Sequence, residues 1–160
     1  MSVLVSDRNE SRIEAVVLPN DIHDMTINLM QRNFGIKDIK NFARSRYLHG
    51  KDTTEDFIKY RALMHECKVR VNNAASMIGT DTKRAYSLYP SSMHEYEKRR
   101  DYQNAAICDC EVLKKELQRV VEIFCVDINV FGPLIKAIDR EIGLIKKWRQ
   151  RDNRMKSYLK

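Results

Sequence analysis

The chain has 160 residues and a mass of 18.8 kDa, which is the size of one ordinary domain. Hydrophobic residues make up 43% of it and charged residues 32%, and no stretch approaches the roughly 20 apolar residues that span a bilayer. The net charge of +7 favours polyanionic partners such as RNA, DNA or an anionic membrane surface. Because the N-terminus lacks the basic start and apolar run of a signal peptide, we expect a cytoplasmic protein.

The N-terminal segment, residues 1–20, has moderate hydrophobic content and no long period. It predicts an arm that is either disordered or packed against a neighbour. Asn20 or Asp21 can cap a first helix, and apolar residues then follow at helical spacing with an interruption at Gly35. This pattern predicts one interrupted helix or two short helices over 21–49.

A second helix is predicted over about 54–78. Threonines and acids at 53–56 offer an N-cap and first-turn carboxylates that suit the helix dipole, and apolar residues follow at steps of three and four. Gly79 then supplies a stop signal. Residues 80–91 contain Thr, Ser and Pro90, and they predict a loop with room for one helical turn.

Two further helices are predicted over about 92–124 and 130–154. Ser92 with Glu95 resembles a capping box at the start of the first of them. In both segments apolar residues hold steps of three and four over most of the length. Asp109 falls off the apolar stripe, so we expect it on the exposed side of its helix.

The predicted fold is an all-α, antiparallel, up-and-down four-helix bundle. No segment alternates β-branched and polar residues, so no sheet is expected. The three prolines, at positions 19, 90 and 133, are interpreted as boundaries between segments. Amphipathic helices with short connections are typical of such a bundle, which we place at 21–160, after the arm over 1–20.

Signals for catalysis and for metal or cofactor binding are weak. The five glycines never cluster into a phosphate-binding loop, and no GxSxG, HExxH or CxxC motif occurs. Cys67, Cys108, Cys110 and Cys125 are predicted to be reduced, and the four scattered histidines show no metal-ligand spacing with them. We therefore expect no catalytic residue, no metal and no cofactor, with Cys67 and Cys110 acting as small buried hydrophobes.

Basic residues cluster near predicted helix ends. In an antiparallel bundle the end of the second helix, the start of the third and the end of the fourth share one end of the molecule, so these clusters converge. Neighbouring tyrosines suit stacking on unpaired bases; alternatively, they pack the bundle end while the cations extend into water. The predicted nucleic-acid-binding residues are Arg70, Lys83, Arg84, Lys98, Arg99, Arg100, Lys146, Lys147, Arg149, Arg151 and Arg154.

Two stretches of the chain resemble a known family. The first extends from Tyr96 to Gln118 and begins YEKRRDYQNAAI, and the second extends from Ile138 to Arg154 and reads IDREIGLIKKWRQRDNR. The Arg-Asp-Tyr-Gln helix start and a closing Ile/Leu-x-x-Trp followed by basic residues are similar to the last two helices of the four-helix accessory variability determinant (Avd) proteins of diversity-generating retroelements. Residues 54–78 resemble the family only loosely. Four-helix proteins encoded in ribosomal-RNA intervening sequences form a similar sibling group.

The resemblance implies a non-catalytic accessory protein that forms a basic, barrel-like homo-pentamer. It implies two partners, the error-prone reverse transcriptase of the element and its structured template RNA, and a role in mutagenic cDNA synthesis; a membrane partner is not expected. Residues 1–50 have no counterpart in the resemblance. Two alternatives stay open: a stand-alone nucleic-acid-binding helical bundle, although the long predicted helices argue against a short recognition helix, and a helical scaffold that binds only protein.

Overall fold

The computed structural model describes the backbone of residues 5–36 and 53–159 and the side chains of residues 12–36 and 55–159. Four α-helices account for most of these ranges, and no strand occurs in them: α1 Val5–Gln31, α2 Thr53–Ser87, α3 Met93–Phe124 and α4 Gly132–Met155. The all-α prediction is confirmed. The helical pattern predicted after Gly35 lies mostly outside the described residues.

Neighbouring helices run antiparallel and pack in the order α1–α2–α3–α4, with α4 closing against α1. The predicted up-and-down four-helix bundle is therefore confirmed. One end of the bundle collects the ends of α2 and α4 (81–87 and 144–155) and the starts of α1 and α3 (5–15 and 93–103); we call it the basic end. The opposite end collects the ends of α1 and α3 and the starts of α2 and α4, and we call it the aromatic end.

Helix α1 begins at Val5, so residues 5–20 of the predicted arm are helical, and the helix start predicted near Asp21 is wrong. The buried positions Ala15, Pro19 and Ile22 follow steps of four and three, which is the period of a helix face. The sequence obscured this period because Pro19 stands inside the helix, where a proline usually marks an end.

Helices α1 and α2 approach each other closely at Pro19 and Gly79. A Cβ built on Gly79 would lie 3.5 Å from the Cβ of Pro19, so a side chain larger than alanine would push the two helices apart. A glycine in a helix interior costs about 1 kcal/mol relative to alanine. An alanine at position 79 would meet Pro19 in ordinary van der Waals contact, so this packing does not itself require glycine.

Helix α2 continues through Gly79 for about two more turns, so the predicted stop is wrong, and the predicted loop over 80–91 is non-helical only from residue 88 onward. Its buried stripe extends from Ile78 to Thr82 and Ala85. The Thr82 hydroxyl donates a hydrogen bond to the carbonyl oxygen of Ile78 at 2.6 Å, which satisfies it in the core. A polar residue at a buried position hid the helical period from a search for apolar residues.

The bounds predicted for α3 and α4 are confirmed within two residues. The Ser92 hydroxyl oxygen accepts a hydrogen bond from the backbone N–H of Glu95 at 3.3 Å, as the capping box predicts. The Glu95 carboxylate reaches Ser91, where it accepts from the backbone N–H at 2.8 Å and from the hydroxyl at 2.5 Å. Both serines therefore secure the start of α3.

The main hydrophobic core extends from the middle of the bundle to the aromatic end. Phe34 and Phe131 pack with their ring centroids 6.1 Å apart, and Tyr60 meets Phe124 edge to face at 5.7 Å. A smaller cluster formed by Ala15, Ala85, Leu144 and Trp148 lies toward the basic end. Cys67 and Cys110 belong to the main core, as predicted, and burial raises the pKa of both thiols.

Candidate nucleic-acid interface

The basic end brings together the three helix ends that the sequence analysis placed there. The guanidinium of Arg84 in α2 lies 5.8 Å from the ring centroid of Tyr102 in α3, and the hydroxyl of Tyr96 in α3 donates to the side-chain oxygen of Asn153 in α4 at 2.8 Å. These contacts fix the end of α2, the start of α3 and the end of α4 side by side.

The net charge of the chain is concentrated on these three helix ends. Residues 81–103 and 144–160 hold twelve basic and five acidic residues, a net of +7, which equals the net charge of the whole chain. The start of α1, residues 5–15, adds two basic and three acidic residues. The remainder of the chain is therefore close to neutral, and the field that attracts a polyanion originates at the basic end.

Most of the predicted binding residues are accessible at this end. Arg100, Arg149 and Arg151 are half-buried. Arg84 forms an ion pair with Asp81 at 3.0 Å, which lowers its contribution to the surface charge. The exposed cations among the predicted residues are Lys83, Arg84, Lys98, Lys146, Lys147 and Arg154.

Arg99 lies in the interior, so its predicted place on the nucleic-acid-binding surface is wrong. Its side chain is 1% exposed and its Nε lies 3.0 Å from Oδ2 of Asp152, which is itself buried. Gln103 donates a hydrogen bond to the same oxygen at 2.8 Å. Consecutive residues on a helix point about 100° apart, so of these three cations only Arg99 falls on the buried stripe that includes Tyr96 and Gln103. Helical spacing is the signal that could have separated it from Lys98 and Arg100.

The buried ion pair is set against an aromatic side chain. The Arg99 guanidinium lies 4.9 Å from the ring centroid of Trp148, and Arg12 of α1 approaches the same ring at 5.7 Å and the ring of Tyr86 at 5.0 Å. Burial lowers the pKa of Arg99 and raises the pKa of Asp152, while the attraction between the two charges opposes both shifts. This network holds α3, α4 and α1 together, which is a structural role.

Arg70 also lies outside the interface predicted for it. It is located on α2, well before the basic end, and forms ion pairs with Glu66 at 3.2 Å and with Glu116 of α3 at 3.1 Å. Hydrogen bonding to Glu66 is the main cause of a raised pKa at Arg70. Arg70 therefore forms an ion pair between α2 and α3 and is not a cation of the basic end.

The tyrosines of the basic end divide into two groups. Tyr96 is 6% exposed, with its hydroxyl bound to Asn153, and Tyr102 is half-buried. Tyr86 is 44% exposed, although its ring also contacts Arg12 and Trp148, and Tyr89 is 72% exposed. Tyr96 and Tyr102 therefore pack the bundle end, whereas stacking on unpaired bases stays a prediction for Tyr89 and the exposed part of Tyr86.

Two further residues of this end were missed. Arg12 contacts Tyr86 and Trp148 but falls in the segment predicted as an arm, and Tyr158, just after α4, is 86% exposed. The spacing of Ala15, Leu18 and Ile22 is the signal that could have extended α1 back to Arg12. No comparable signal exists for Tyr158, which follows the last apolar repeat.

Carboxyl groups lie buried beneath the basic end. Asp109, predicted to be exposed, has a carboxyl oxygen that is buried, and burial with the neighbouring Asp81 raises its pKa to about 6. Glu141 is fully buried without a hydrogen-bond partner at either oxygen, and burial, with a smaller effect of Glu14, raises its pKa to about 8. Both groups hold protons more tightly than exposed carboxylates do.

Among the residues that the structure describes, no three His, Cys, Asp or Glu side chains are grouped so that they could hold a metal ion. None of the described helices combines the length and the hydrophobicity that a membrane crossing requires.

Fold and surface together define the class of protein as an all-α four-helix bundle with one basic end. No protein-family model, curated protein or solved structure matches the chain significantly.

Proposed function

We propose that the protein binds structured RNA through the exposed cations of the basic end. The observation that carries this proposal is the concentration of the entire net charge on residues 81–103 and 144–160. Among the described side chains of this end, Arg99 is the one basic group that is fully buried, and it pairs with Asp152. The charge of Asp152 is therefore neutralised in the interior and does not cancel the exposed cations. Phosphate contacts of this kind supply most of the affinity of a nucleic-acid-binding surface.

Exposed aromatic rings favour RNA with unpaired bases over a plain duplex. Tyr86 and Tyr89 lie on α2 and just after it, next to Lys83 and Arg84. A base that stacks on a tyrosine contributes about 1–3 kcal/mol. Loops and bulges of a folded RNA present both unpaired bases and closely spaced phosphates, which matches the mixture of side chains on this surface.

The proposed biological role is that of a non-catalytic accessory protein of a diversity-generating retroelement, partnering its reverse transcriptase and template RNA. The resemblance of α3 and α4 to Avd proteins supports this role. Residues of the two resembling stretches also contact each other, through Arg99 with Trp148, Gln103 with Asp152, and Tyr96 with Asn153. The test is cDNA synthesis by the reverse transcriptase of a diversity-generating retroelement with and without this protein; an unchanged yield contradicts the role.

We further propose that the protein assembles into a ring of about five subunits, as the resemblance implies. Exposed apolar side chains on the outer faces of the bundle support assembly, among them Ile13 and Val17 one turn apart on α1 and Val112 on α3. A ring multiplies the phosphate contacts of each basic end and so raises the avidity for RNA. Multi-angle light scattering tests this proposal, and a strict monomer of 18.8 kDa at micromolar concentration contradicts it.

RNA binding itself is tested by paired charge reversals. Lys98→Glu/Lys147→Glu alters two exposed residues of the basic end, on α3 and α4. Lys115→Glu/Lys136→Glu changes the net charge by the same amount on the same two helices but in the opposite half of the bundle. This second double variant is therefore a matched control.

The readout is fluorescence anisotropy of a labelled hairpin RNA at physiological salt, with circular dichroism confirming that both variants fold. We expect Lys98→Glu/Lys147→Glu to weaken binding at least tenfold and the control to change it less than threefold. Equal losses in both variants mean that binding follows net charge alone, and an unaffected Lys98→Glu/Lys147→Glu protein contradicts the proposed surface. A wild-type protein that binds no RNA supports the protein-only scaffold instead.

A further inference from the structure

A small cationic cavity lies between the start of α3 and the end of α4. Its volume is about 270 Å³, and it is lined by Arg100, Lys146, Arg149, Gln150 and Asn153. Each of these side chains carries hydrogen-bond donors, and no carboxylate belongs to the lining. The cavity is smaller than the pockets of roughly 300–1,000 Å³ that hold drug-sized ligands, so it suits a compact anion.

One of the two arginines is already held in position. Nη1 of Arg100 donates to the side-chain oxygen of Asn153 at 2.5 Å and lies 3.5 Å from the backbone carbonyl oxygen of Arg149. The same Asn153 oxygen accepts from the hydroxyl of Tyr96. An anion that binds here therefore meets a guanidinium whose conformational freedom is already restricted, which reduces the entropic cost of binding.

The second arginine is incompletely satisfied. Nε of Arg149 is buried and has no hydrogen-bond partner. Burial, and then the neighbouring positive charge of Arg100, lower the pKa of Arg149. A buried donor without a partner is unfavourable, and an anion bound between Arg100 and Arg149 would reduce the repulsion between the two guanidinium groups.

We propose that this cavity binds one phosphate group, with Arg100 and Arg149 donating to its oxygens and Lys146 closing the site from the exposed side. The inference rests on the proposed function and deepens it, since it names the contact at which the RNA-binding surface takes a phosphate. Guanidinium groups match the oxygens of a phosphate in a bidentate manner. A backbone phosphodiester and a terminal phosphate share this chemistry, and the experiments below separate them.

The cavity is first tested with inorganic phosphate alone. The Nε–Hε resonances of ¹⁵N-arginine-labelled protein are followed by NMR while phosphate replaces chloride at constant ionic strength. We expect saturable shifts of the Arg100 and Arg149 resonances, weakened at least fivefold by Lys146→Gln. Lys146 is exposed, so this variant keeps its fold. Lys136→Gln, on the same helix but outside the basic end, is the matched control and should bind phosphate like the wild type.

Arg149→Lys supplies a second variant that keeps the charge. Lysine lacks the planar fork of arginine, so we expect phosphate affinity to fall although the net charge is unchanged. Non-saturable shifts in the wild type overturn the inference, and so does an equal effect of Lys146→Gln and Lys136→Gln. Full phosphate affinity in Arg149→Lys also overturns the inference, because it would show that the guanidinium group of Arg149 does not bind the phosphate.

The source of the phosphate is tested with one hairpin RNA made with a 5′-phosphate or a 5′-hydroxyl. Tighter binding of the 5′-phosphate form, lost in Lys146→Gln, identifies a terminal phosphate; equal binding of both forms, weakened by Lys146→Gln, identifies a backbone phosphodiester. If Lys146→Gln affects neither RNA while Lys98→Glu/Lys147→Glu weakens both, the cavity is overturned and the proposed function stands. If the wild type binds neither RNA, the proposed function fails, and the phosphate titration decides the cavity alone.

Discussion

The two ends of the bundle share one helical period but differ in what they bury. At the aromatic end Phe34, Phe131 and Phe124 pack against apolar neighbours. In the half that leads to the basic end the helix stripes bury charged and polar side chains. These side chains are Asp81, Thr82, Arg99, Gln103, Glu141 and Asp152. The same spacing of residues along a helix therefore encodes two kinds of core.

This difference predicts two responses to mutation. Apolar packing is non-directional, so a small truncation at the aromatic end costs free energy in proportion to the atoms removed. A buried charge at the basic end depends on one partner, so removal of that partner leaves an uncompensated group in a region of low dielectric constant. Stability of the basic end should also depend on pH, whereas the packing of the aromatic end should not.

The largest effect is expected at Arg99. Substitution by Ala leaves Asp152 buried without its cationic partner, and breaking a buried ion pair from one side costs about 3–5 kcal/mol. Urea unfolding followed by circular dichroism measures the loss. Arg154→Ala removes an exposed cation from the end of α4, the helix that carries Asp152. This control should change the free energy of unfolding by less than about 0.5 kcal/mol.

A double variant separates pairing from packing at the same site. Arg99→Met/Asp152→Asn removes both charges while keeping side chains of similar length, and we expect it to be at least about 2 kcal/mol more stable than Arg99→Met alone. If the double variant is no more stable than the single variant, Asp152 does not depend on Arg99. The stability of the basic end would then not depend on the pairing of buried charges.

The next effect is pH-dependent and comes from Glu141. Its pKa is about 8 in the folded protein, above the ordinary value of 4.5, because the side chain is buried and, to a smaller extent, because Glu14 lies nearby. The folded state therefore holds the proton more tightly than the unfolded state between those two values, so stability falls as pH rises through this window. The slope is about 1.4 kcal/mol per pH unit for one group.

Glu141→Gln tests this dependence. The variant cannot ionise, so its free energy of unfolding should exceed that of the wild type by an amount that grows by roughly 3 kcal/mol between pH 5.5 and pH 7.5. Urea unfolding across the pH range gives this difference directly. Parallel pH profiles of the two proteins would mean that Glu141 is ionised at neutral pH in the folded state.

A smaller and pH-independent effect is expected from Ile123→Val toward the aromatic end. Ile123 is 3% exposed and lies in the main core. Loss of one buried methylene group costs about 0.5–1.5 kcal/mol. The cost should be the same at pH 5.5 and pH 7.5, and a cost that changes with pH would show that titrating groups also influence this end.

The smallest effect concerns the helix cap of α3 at the basic end. Ser92→Ala removes the hydroxyl that accepts from the backbone N–H of Glu95 and should cost about 1 kcal/mol, whereas Ser92→Gly should cost only a few tenths. Thermal unfolding of the two variants compares them. Equal costs for both substitutions would indicate that Ser91 and Glu95 secure the helix start without Ser92.

Sequence periodicity predicted α3 and α4 well because their buried stripes are apolar over most of their length. It failed at α1 and at the end of α2, where Pro19, Gly79 and Thr82 occupy buried or interior positions that usually carry other residue types. The stability of those segments comes from tertiary packing, which local propensity does not contain. A search for small as well as large residues at helical spacing would have predicted both the start of α1 and the end of α2.

The candidate interface was predictable as a set of helix ends but not residue by residue. Topology placed the clusters at one end, whereas the burial of Arg99 depends on the position of Asp152, 53 residues later in the chain. Arg70 was assigned from charge alone, and its ion pair with Glu116 is likewise a contact between two helices. Neighbouring basic residues look alike in the sequence. Contacts between helices in the folded protein decide whether each one lies in the core, in an ion pair or on the surface.

The most direct test of the central claim is the salt dependence of RNA binding. If the exposed cations of the basic end contact phosphates, the logarithm of the association constant falls linearly with the logarithm of salt concentration, by roughly 0.7 to 0.9 per phosphate contact. Lys98→Glu/Lys147→Glu should reduce that slope by at least about 1.5 relative to the wild type, while Lys115→Glu/Lys136→Glu leaves it unchanged. An identical slope in all three proteins would contradict RNA binding by the basic end.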